Sequence, residues 1–455
     1  MKKRFSVFIG VLLIVAMCLS ACVGGGTSGT STSGGGSSGK STTSKSETKA
    51  AGETGKAETP AADGNTDPIR IGVVNPRSGK LAVTGTDDHF GCMIAIDMFN
   101  EAGGVNGRMI EPVVADIPDA ATAQTEINRL IQNENLSVIT GCYGSSIVEV
   151  VAAICNRNNV FYWENVSILD RLTEQGYKSV FRYHISGSEY GVQAAQWAEF
   201  YADKLGIAKE DLTVGTINEN GDFGQSIATG VERYCSENGI KLVLNESYEA
   251  TTTDTTPVVL KMKEADPDII IATSYINDGI DITKKCKVLN YSPKVFLGIG
   301  SGYGAAAYYD TLGADSQGQI DLDPTNAPVL ENLDPEMQEL AKEFAKRFEA
   351  ELGYAPTTVG YLGWESTWIL LNNVVAQVNG DVDDLDGLIA AAKAVDIPEG
   401  TMPTGYGCKF NDKGQNERCV IASMQWQDGK LVTIYPEELS KAEPIRIPMP
   451  AWDER

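Results

Sequence analysis

The chain has few of the residues on which hydrolytic, metal-dependent or nucleic-acid-binding sites depend. It contains two histidines, His89 and His184, and it has no C-x-x-C pair, and its one G-x-S-x-G match, residues 35–39, lies in a low-complexity Gly/Ser-rich stretch. A serine hydrolase needs a nucleophile with a base in reach, and a zinc site needs a Cys/His cluster. A formal charge of −24 argues against a nucleic-acid partner. We therefore expect no enzyme, no metal site, no cofactor and no nucleic acid.

The sequence also lacks a second long apolar run, so it predicts no transmembrane helix. The one such run, residues 5–19, follows a basic start and closes on L-S-A-C at Cys22. This ending resembles the lipobox of bacterial lipoproteins, in which the leader is cut before the cysteine and the cysteine takes a lipid; a plain secretory leader is the alternative. We expect a lipoprotein signal peptide over residues 1–21, then a lipidated Cys22 and a disordered Gly/Ser-rich tether over 22–66. The tether contains GGGSSGKS, which matches a phosphate-binding loop literally, but its flanks lack the strand and helix that such a loop needs.

Beyond Cys22 the chain has an odd number of cysteines, so at least one has no partner within the chain. Export permits disulfides without requiring them. Cys408 and Cys419 flank a predicted hairpin turn and could pair, and buried free thiols are the alternative. The pairing stays open for the whole set, which is Cys92, Cys142, Cys155, Cys235, Cys286, Cys408 and Cys419.

From residue 69 onward, short apolar strands alternate with helical patterns, and this alternation is typical of doubly wound parallel sheets. The pattern starts with IRIGVV and restarts after residue 187 with LTVGTIN and a helix over 222–238. Three further helices and three short strands, YGCKF, RCVIASMQWQ and KLVTIYP, close the chain. The sequence therefore predicts an α/β fold with two doubly wound parallel-sheet lobes joined by a hinge, and a small-molecule site between them.

The stretch over residues 136–167 reads as strand, loop, helix, strand and loop, and we expect it to form one wall of that site. Ser146 and Glu149 form an S-x-x-E capping box, which predicts a helix start beside Ser145 and Ser146. An anion there would be held by hydroxyls and by the free N–H groups of the helix. The strand VFYW then brings the loop 164–167 to the same sheet edge, where ligands of open parallel sheets bind.

From about residue 69 to 435, a series of ordered motifs resembles one known family. These motifs are P-R-S-G, N-E-A-G-G-V-N-G-R, Gly144-Ser145-Ser146 after the third strand, F-R-Y-H, G-D-F-G and A-T-S-Y. Their order and spacing resemble the type I periplasmic binding proteins of the leucine/isoleucine/valine-binding group, which are substrate-binding lipoproteins of ABC importers. The resemblance implies that residues 67–186 and 318–415 form lobe 1, that 187–317 and 416–440 form lobe 2, and that 441–455 form a C-terminal tail.

The resemblance also implies roles for individual residues. Ser145 would hold the α-carboxylate of an amino acid, and Val166 and Ser167 would bind its amine and carboxylate through a backbone carbonyl and a hydroxyl. Tyr275 would contact the ligand from the second lobe, and Phe223 would close over it. Thr84 falls where the family often has an aromatic residue.

One departure concerns the charge that pairs with the ligand's amine. The family's acidic residue falls near Gly300, where this chain has no carboxylate, and Glu164 and Asp278 are the nearest candidates to replace it. Trp163, Tyr143 and Tyr303 could add an aromatic wall suited to a cation or a ring, with core packing the alternative for Trp163.

Two arginines could pair with an anionic ligand. These are Arg77 and Arg182, and for Arg182 we favour a structural role at the hinge.

We therefore expect an extracytoplasmic lipoprotein that captures an amino acid or an analogue for an ABC permease, anchored to the membrane through Cys22 and monomeric. The alternative is a receptor of the same fold that senses an amide, cationic or aromatic ligand and signals to a partner.

Overall fold

The computed structural model describes residues 66–249, 251–440 and 442–455, and the predicted leader and lipidation site at Cys22 lie outside these ranges. Within them, no helix is both long enough and apolar enough to span a membrane. The strands of the described residues form two sheets, and the chain passes between the sheets more than once.

The first sheet is wholly parallel and has the strand order β2-β1-β3-β4-β5. Four of its strands are short, apolar and almost completely buried, as expected for a parallel sheet covered on both faces, and the edge strand β2 is partly exposed. The strands of this sheet are β1 (Ile69–Asn75), β2 (Ile110–Asp116), β3 (Val138–Thr140), β4 (Phe161–Glu164) and β5 (Val180–Arg182).

Helices from both ends of the described chain cover this sheet. Two of them, α1 and α11, approach so closely that a Cβ on Gly91 would lie 2.4 Å from the carbonyl oxygen of Gly360, and one on Gly363 would lie 2.6 Å from that of Asp88. Glycine at these positions is what lets the two backbones touch. The helices are α1 (Ala82–Glu101), α2 (Ala120–Gln132), α3 (Ser145–Arg157), α10 (Pro335–Leu352), α11 (Thr358–Ile369), which continues as a π-helix over Leu370–Val375, and α12 (Leu385–Ala394).

The second sheet has the order β12-β11-β10-β9-β8-β6-β7. It is parallel from β7 to β10, and β11 and β12 add an antiparallel edge. Its strands are β6 (Thr213–Glu219), β7 (Lys241–Tyr248), β8 (Ile269–Thr273), β9 (Val295–Ile299), β10 (Ile320–Asp323), β11 (Ala422–Gln427) and β12 (Lys430–Tyr435).

The second lobe repeats the close glycine-mediated helix pair of the first. A Cβ on Gly191 of α4 would lie 2.1 Å from the carbonyl oxygen of Ile227 of α5, and one on Gly230 would lie 2.0 Å from that of Ser188. The helices of this lobe are α4 (Gly187–Leu205), α5 (Asp222–Asn238), α6 (Thr256–Ala265), α7 (Ile276–Val288), α8 (Ser301–Gly304) and α9 (Ala306–Leu312). The two-lobed α/β fold predicted from the sequence is confirmed.

The hinge consists of the segments that pass between the lobes after β5, after β10 and before β11. Arg182 and Gln415 form a β-bridge there, and Asn416 Nδ2 donates to the carbonyl oxygen of Tyr183 at 3.0 Å. The Arg182 guanidinium is fully buried and donates to Gln415 Oε1 and to the carbonyl oxygen of Leu169. The structural role favoured for Arg182 is therefore confirmed.

Three features near the C-terminus differ from the sequence predictions. Strand β10 pairs with β9 and β11, so residues 318–323 belong to the second sheet, although the resemblance placed them in lobe 1. The segment YGCKF, predicted as a strand, forms isolated bridges at Cys408 and Phe410. The predicted tail packs on the second lobe, where the Met449 amide donates to the Lys294 carbonyl oxygen at 2.8 Å.

The cysteines of the described residues settle the disulfide question. All seven are buried and free, so Cys408 and Cys419 do not pair. Burial raises the pKa of the Cys408 thiol above its ordinary value, which keeps this group protonated and unreactive.

Candidate functional site

A cavity that is open to solvent, with about 500 Å³ of space between protein atoms including its mouth, lies between the lobes. It is lined from the first lobe by the loops after β3 and β4, and from the second lobe by residues at or beyond the ends of β6, β8, β9 and β10. Both sheets thus present the carboxyl ends of their parallel strands, as open α/β sheets do at ligand sites. The lining residues are Tyr143, Gly144, Ser145, Val166, Ser167, Ile168, His184, Tyr190, Phe223, Tyr275, Gly300, Asp323, Thr358, Val359 and Leu362.

Two serines form a hydroxyl pair at the first-lobe wall. Ser167 Oγ lies 3.4 Å from Ser145 Oγ, and both side chains are buried. Ser145 is the first residue of α3, and the N–H groups of Ser145 and Ser146 have no partner within the helix and lie at the positive end of its dipole, whereas the Ile147 amide donates to the Gly144 carbonyl oxygen. This grouping of hydroxyl and amide donors has the chemistry that suits a carboxylate.

The capping box predicted for α3 is not formed. The helix begins at Ser145 after Gly144, which has φ +97° and provides no side-chain cap. Ser146 therefore lies within the first turn with its side chain exposed, and Glu149 pairs with Arg171 instead of capping. The helix start was predicted correctly, but Ser146 does not line the cavity because the helix starts one residue early.

Glu164 does not face the cavity, contrary to the expectation that it would supply charge to a ligand. Its Oε1 accepts hydrogen bonds from the backbone amides of Val166, at 2.8 Å, and Ser167. Its side chain is fully buried, and burial raises the pKa of its carboxyl to about 8. Glu164 therefore fixes the turn that presents Val166 and Ser167.

Hydrogen bonds of Asn165 also attach this loop to the helices of the first lobe. Asn165 Nδ2 donates to Asp88 Oδ1 of α1 at 3.2 Å, and its Oδ1 accepts from Ser366 Oγ of α11 at 2.8 Å. Burial raises the pKa of Asp88 to about 7. The loop that carries Ser167 is thus fixed to the α1–α11 pair.

The second lobe contributes an aromatic cover. Phe223 follows β6 and Tyr275 follows β8, and the centroids of their rings are 5.2 Å apart. Gly300, with φ +85°, lies against them, and a Cβ there would be 2.6 Å from Phe223 Cζ. The Phe223 ring thus occupies the space into which a side chain at position 300 would extend, near the place where the resemblance implied an acidic residue.

Two aromatic residues expected at the wall lie in the core. Trp163 is fully buried, stacks with Phe181, and donates from Nε1 to Ser366 Oγ at 2.7 Å, so the packing alternative describes it correctly. Tyr303 is also fully buried, with its hydroxyl 2.9 Å from Ser274 Oγ. Their expected contact with a ligand is wrong because neither side chain reaches the cavity.

Asp278 and Thr84 are likewise outside the cavity lining. Asp278 accepts a hydrogen bond from the Tyr248 hydroxyl at 2.7 Å, and burial raises the pKa of its carboxyl to about 6. Thr84 lies in the first turn of α1 and is buried. Arg77 is exposed and its backbone amide donates to Asp116 Oδ1.

Several lining residues were not predicted from the sequence. His184 and Tyr190 come from the first hinge segment and α4, and Asp323 ends β10. Burial lowers the pKa of His184 to about 3, so the imidazole is neutral, with Nδ1 3.0 Å from the Tyr406 hydroxyl. The one sequence feature that could have indicated Asp323 as a lining residue is its place at the end of a strand, directly before Pro324. Within the described ranges, no cluster of His, Cys, Asp or Glu could hold a metal ion.

Two α/β lobes around a cavity lined by hydroxyls, amides and aromatic rings define a two-lobed solute-binding protein. The family model described as "Periplasmic binding protein" matches residues 68–430. The chain belongs to this family.

Its relatives share the fold over most of their length. A Leu/Ile/Val-binding protein homolog 7 from Brucella suis is 32% identical over 382 residues, which cover 84% of this chain and 94% of the relative. The structure of the substrate-binding protein LivJ from Streptococcus pneumoniae, in complex with isoleucine, is 23% identical with a TM-score of 0.66 and covers 80% of this chain and 97% of that chain. That of a solute-binding protein from R. palustris, in complex with benzoate, is 19% identical with a TM-score of 0.67 and covers 84% of this chain and 99% of that chain.

The family membership fixes the kind of function. The chain is an extracytoplasmic solute-binding protein of the branched-chain amino acid ABC transporter type, whose partners are a small molecule and a transporter. It is a substrate-binding protein and not an enzyme.

Proposed function

We propose that the chain is the lipid-anchored solute receptor of an ABC importer and that it binds a small carboxylic acid, an amino acid or an analogue. The observation that carries this proposal is the hydroxyl pair of Ser145 and Ser167, 3.4 Å apart at the start of α3. A carboxylate between them would accept two hydroxyl protons and lie at the positive end of the helix dipole.

The rest of the cavity suits an apolar body attached to that carboxylate. Ile168, Val359 and Leu362 line it together with the rings of Phe223 and Tyr275. The relatives support the same chemistry, since isoleucine and benzoate, the ligands of the two structures above, each join a carboxylate to an apolar group. We infer that the second-lobe rings cover the ligand when the lobes close, and that the closed lobes present one surface to the permease.

The carboxylate site is tested by thermal unfolding and calorimetry of the purified protein with a panel of amino acids, their deaminated analogues and aromatic acids. A ligand at about a hundred times its Kd adds about 2.7 kcal/mol of stability. Ser145→Ala should weaken binding by about 1.5–3 kcal/mol, because it leaves one carboxylate oxygen without its donor. Ser146→Ala is the matched control, because Ser146 is exposed on the same turn. Equal affinity of parent and Ser145→Ala would exclude the carboxylate site.

The membrane anchor is a separate part of the proposal and has its own test. We place the lipid on Cys22, with residues 22–66 as the tether between membrane and binding lobes. Cys22→Ser should move the protein from the membrane fraction to the soluble fraction, with ligand affinity unchanged. A variant that still sediments with membranes would contradict this anchor.

A further inference from the structure

The family resemblance leaves the ligand's cationic group without a partner, since position 300 is glycine and neither Glu164 nor Asp278 lines the cavity. Asp323 lines it from the end of β10. Among the residues that the structure describes, Asp323 is the one carboxylate in the lining, and no lysine or arginine lines it.

The hydrogen bonds around Asp323 leave it short of donors. The Tyr190 hydroxyl contacts both Asp323 Oδ1 and the carbonyl oxygen of Leu322, the latter at 2.7 Å. A hydroxyl carries one proton and cannot donate fully to both acceptors. Within the described chain, Asp323 Oδ2 accepts no hydrogen bond, and Asp323 as a residue is 7% exposed.

The electrostatic surroundings do not compensate for the charge either. His184, the neighbouring lining residue, is neutral, and Arg182 directs its guanidinium to Leu169 and Gln415. Asp321, on the same strand, is a second buried carboxyl whose oxygens accept no hydrogen bond from the described residues. Burial raises the pKa of Asp323 to about 7 although the hydrogen bond from Tyr190 lowers it, so the carboxylate form is costly while the cavity contains no cation.

We propose that Asp323, positioned by Tyr190, is the binding partner for the ammonium group of a zwitterionic ligand whose carboxylate lies between Ser145 and Ser167. This proposal rests on the carboxylate site proposed above and adds the group that selects amino acids over simple acids. An ammonium has three donors and can supply the hydrogen bond that Oδ2 lacks. Asp323 thus takes the place of the acidic residue missing at position 300.

The test uses matched pairs of probes that differ in the amine alone: leucine with 4-methylpentanoate, and phenylalanine with 3-phenylpropanoate. In calorimetry, the parent protein should bind at least one amino acid about tenfold or more tightly than its deaminated partner, since a buried charge-assisted hydrogen bond contributes about 1.5–3 kcal/mol. Asp323→Asn should remove this preference, so that the variant binds each amino acid no more tightly than its deaminated partner. Asp278→Asn is the control, because Asp278 is a buried carboxyl of the same lobe that does not line the cavity.

The outcomes separate this inference from the proposed function. A parent protein that binds deaminated acids as tightly as amino acids, with binding lost in Ser145→Ala, would overturn the role of Asp323 and keep the carboxylate site. An amine preference that survives in Asp323→Asn would also overturn it. No binding of any probe would reject both proposals. If Asp323→Asn does not fold, Tyr190→Phe, which removes the hydrogen bond that positions Asp323, should reduce the same preference, and an unchanged preference would overturn the role of Asp323.

Discussion

Arg171 connects the two lobes at the edge of the cleft, and we predict that this connection stabilises their closed arrangement. It lies in the short helical turn Asp170–Leu172 of the first lobe. Its guanidinium donates to both oxygens of Glu149 on α3, at 2.7 and 2.6 Å, and to both oxygens of Asp222 on α5, at 2.8 and 3.0 Å. Asp222 immediately precedes Phe223, so the pair that crosses between lobes is adjacent to the aromatic cover.

The structure sets the size of the expected effect. The three side chains are between 30% and 46% exposed, so each ion pair is worth about 0.2–1 kcal/mol, with bidentate geometry favouring the upper end. Opening of the lobes would break the Asp222 pair and keep the Glu149 pair, which lies within one lobe. Asp222→Asn should therefore cost the closed form about 1 kcal/mol, or about a fivefold increase in ligand Kd.

The assay is calorimetry of the best ligand from the panel at low and high salt. At about 0.01 M ionic strength the Debye length is about 30 Å, and at about 1 M it is about 3 Å, so the effect of Asp222→Asn should shrink as salt rises. Glu149→Gln is the control and should change affinity less than twofold. Equal Kd values for Asp222→Asn and parent at low salt, or an equal loss in Glu149→Gln, would refute a selective role in closure.

Two other changes test the wall and the cover of the cavity. Gly300→Ala should lower the free energy of unfolding by roughly 1–3 kcal/mol, because a φ of +85° with a ψ of 173° is a conformation confined almost entirely to glycine. It should also weaken ligand binding, because the new Cβ displaces Phe223. Gly400→Ala also places a Cβ at a positive φ, +77°, but with no atom within 4 Å; equal binding losses in the two variants would contradict this account. For Glu164, the pKa of about 8 in the folded protein exceeds the ordinary value of 4.5, so the parent should lose stability as pH rises from about 4.5 to 8. In urea unfolding, the free energy of unfolding of Glu164→Gln should therefore rise relative to that of the parent over this pH range. If the difference between the two free energies does not change with pH, Glu164 is ionised in the folded state.

The sequence was informative where residues directly follow parallel strands. Tyr143, Ser145, Phe223 and Tyr275 reach the cavity because topology alone places the ends of parallel strands at one edge. The bounds of the helix Asp222–Asn238 were also predicted correctly, since glycine flanks it on both sides.

The sequence failed where the side-chain direction or the hinge decided the outcome. Trp163 and Glu164 lie within β4, where a side chain can be buried on either face of a doubly covered sheet. Tyr190 and Asp323 reach the cavity because the chain passes between the lobes near them, and no local pattern encodes where such segments meet. The same limit explains why β10 was assigned to the wrong lobe.

The close contact of α1 with α11 has a consequence for when the protein can fold. The face of α1 that carries Gly91 stays uncovered until residues 358–369 have been synthesised, more than two hundred residues later. Contacts so distant in sequence form slowly, because a long loop must close before they contribute. We therefore expect the first lobe to acquire its native core only after residue 369 has been synthesised, which keeps this lobe unfolded over the interval in which a secretion channel must thread the preceding chain.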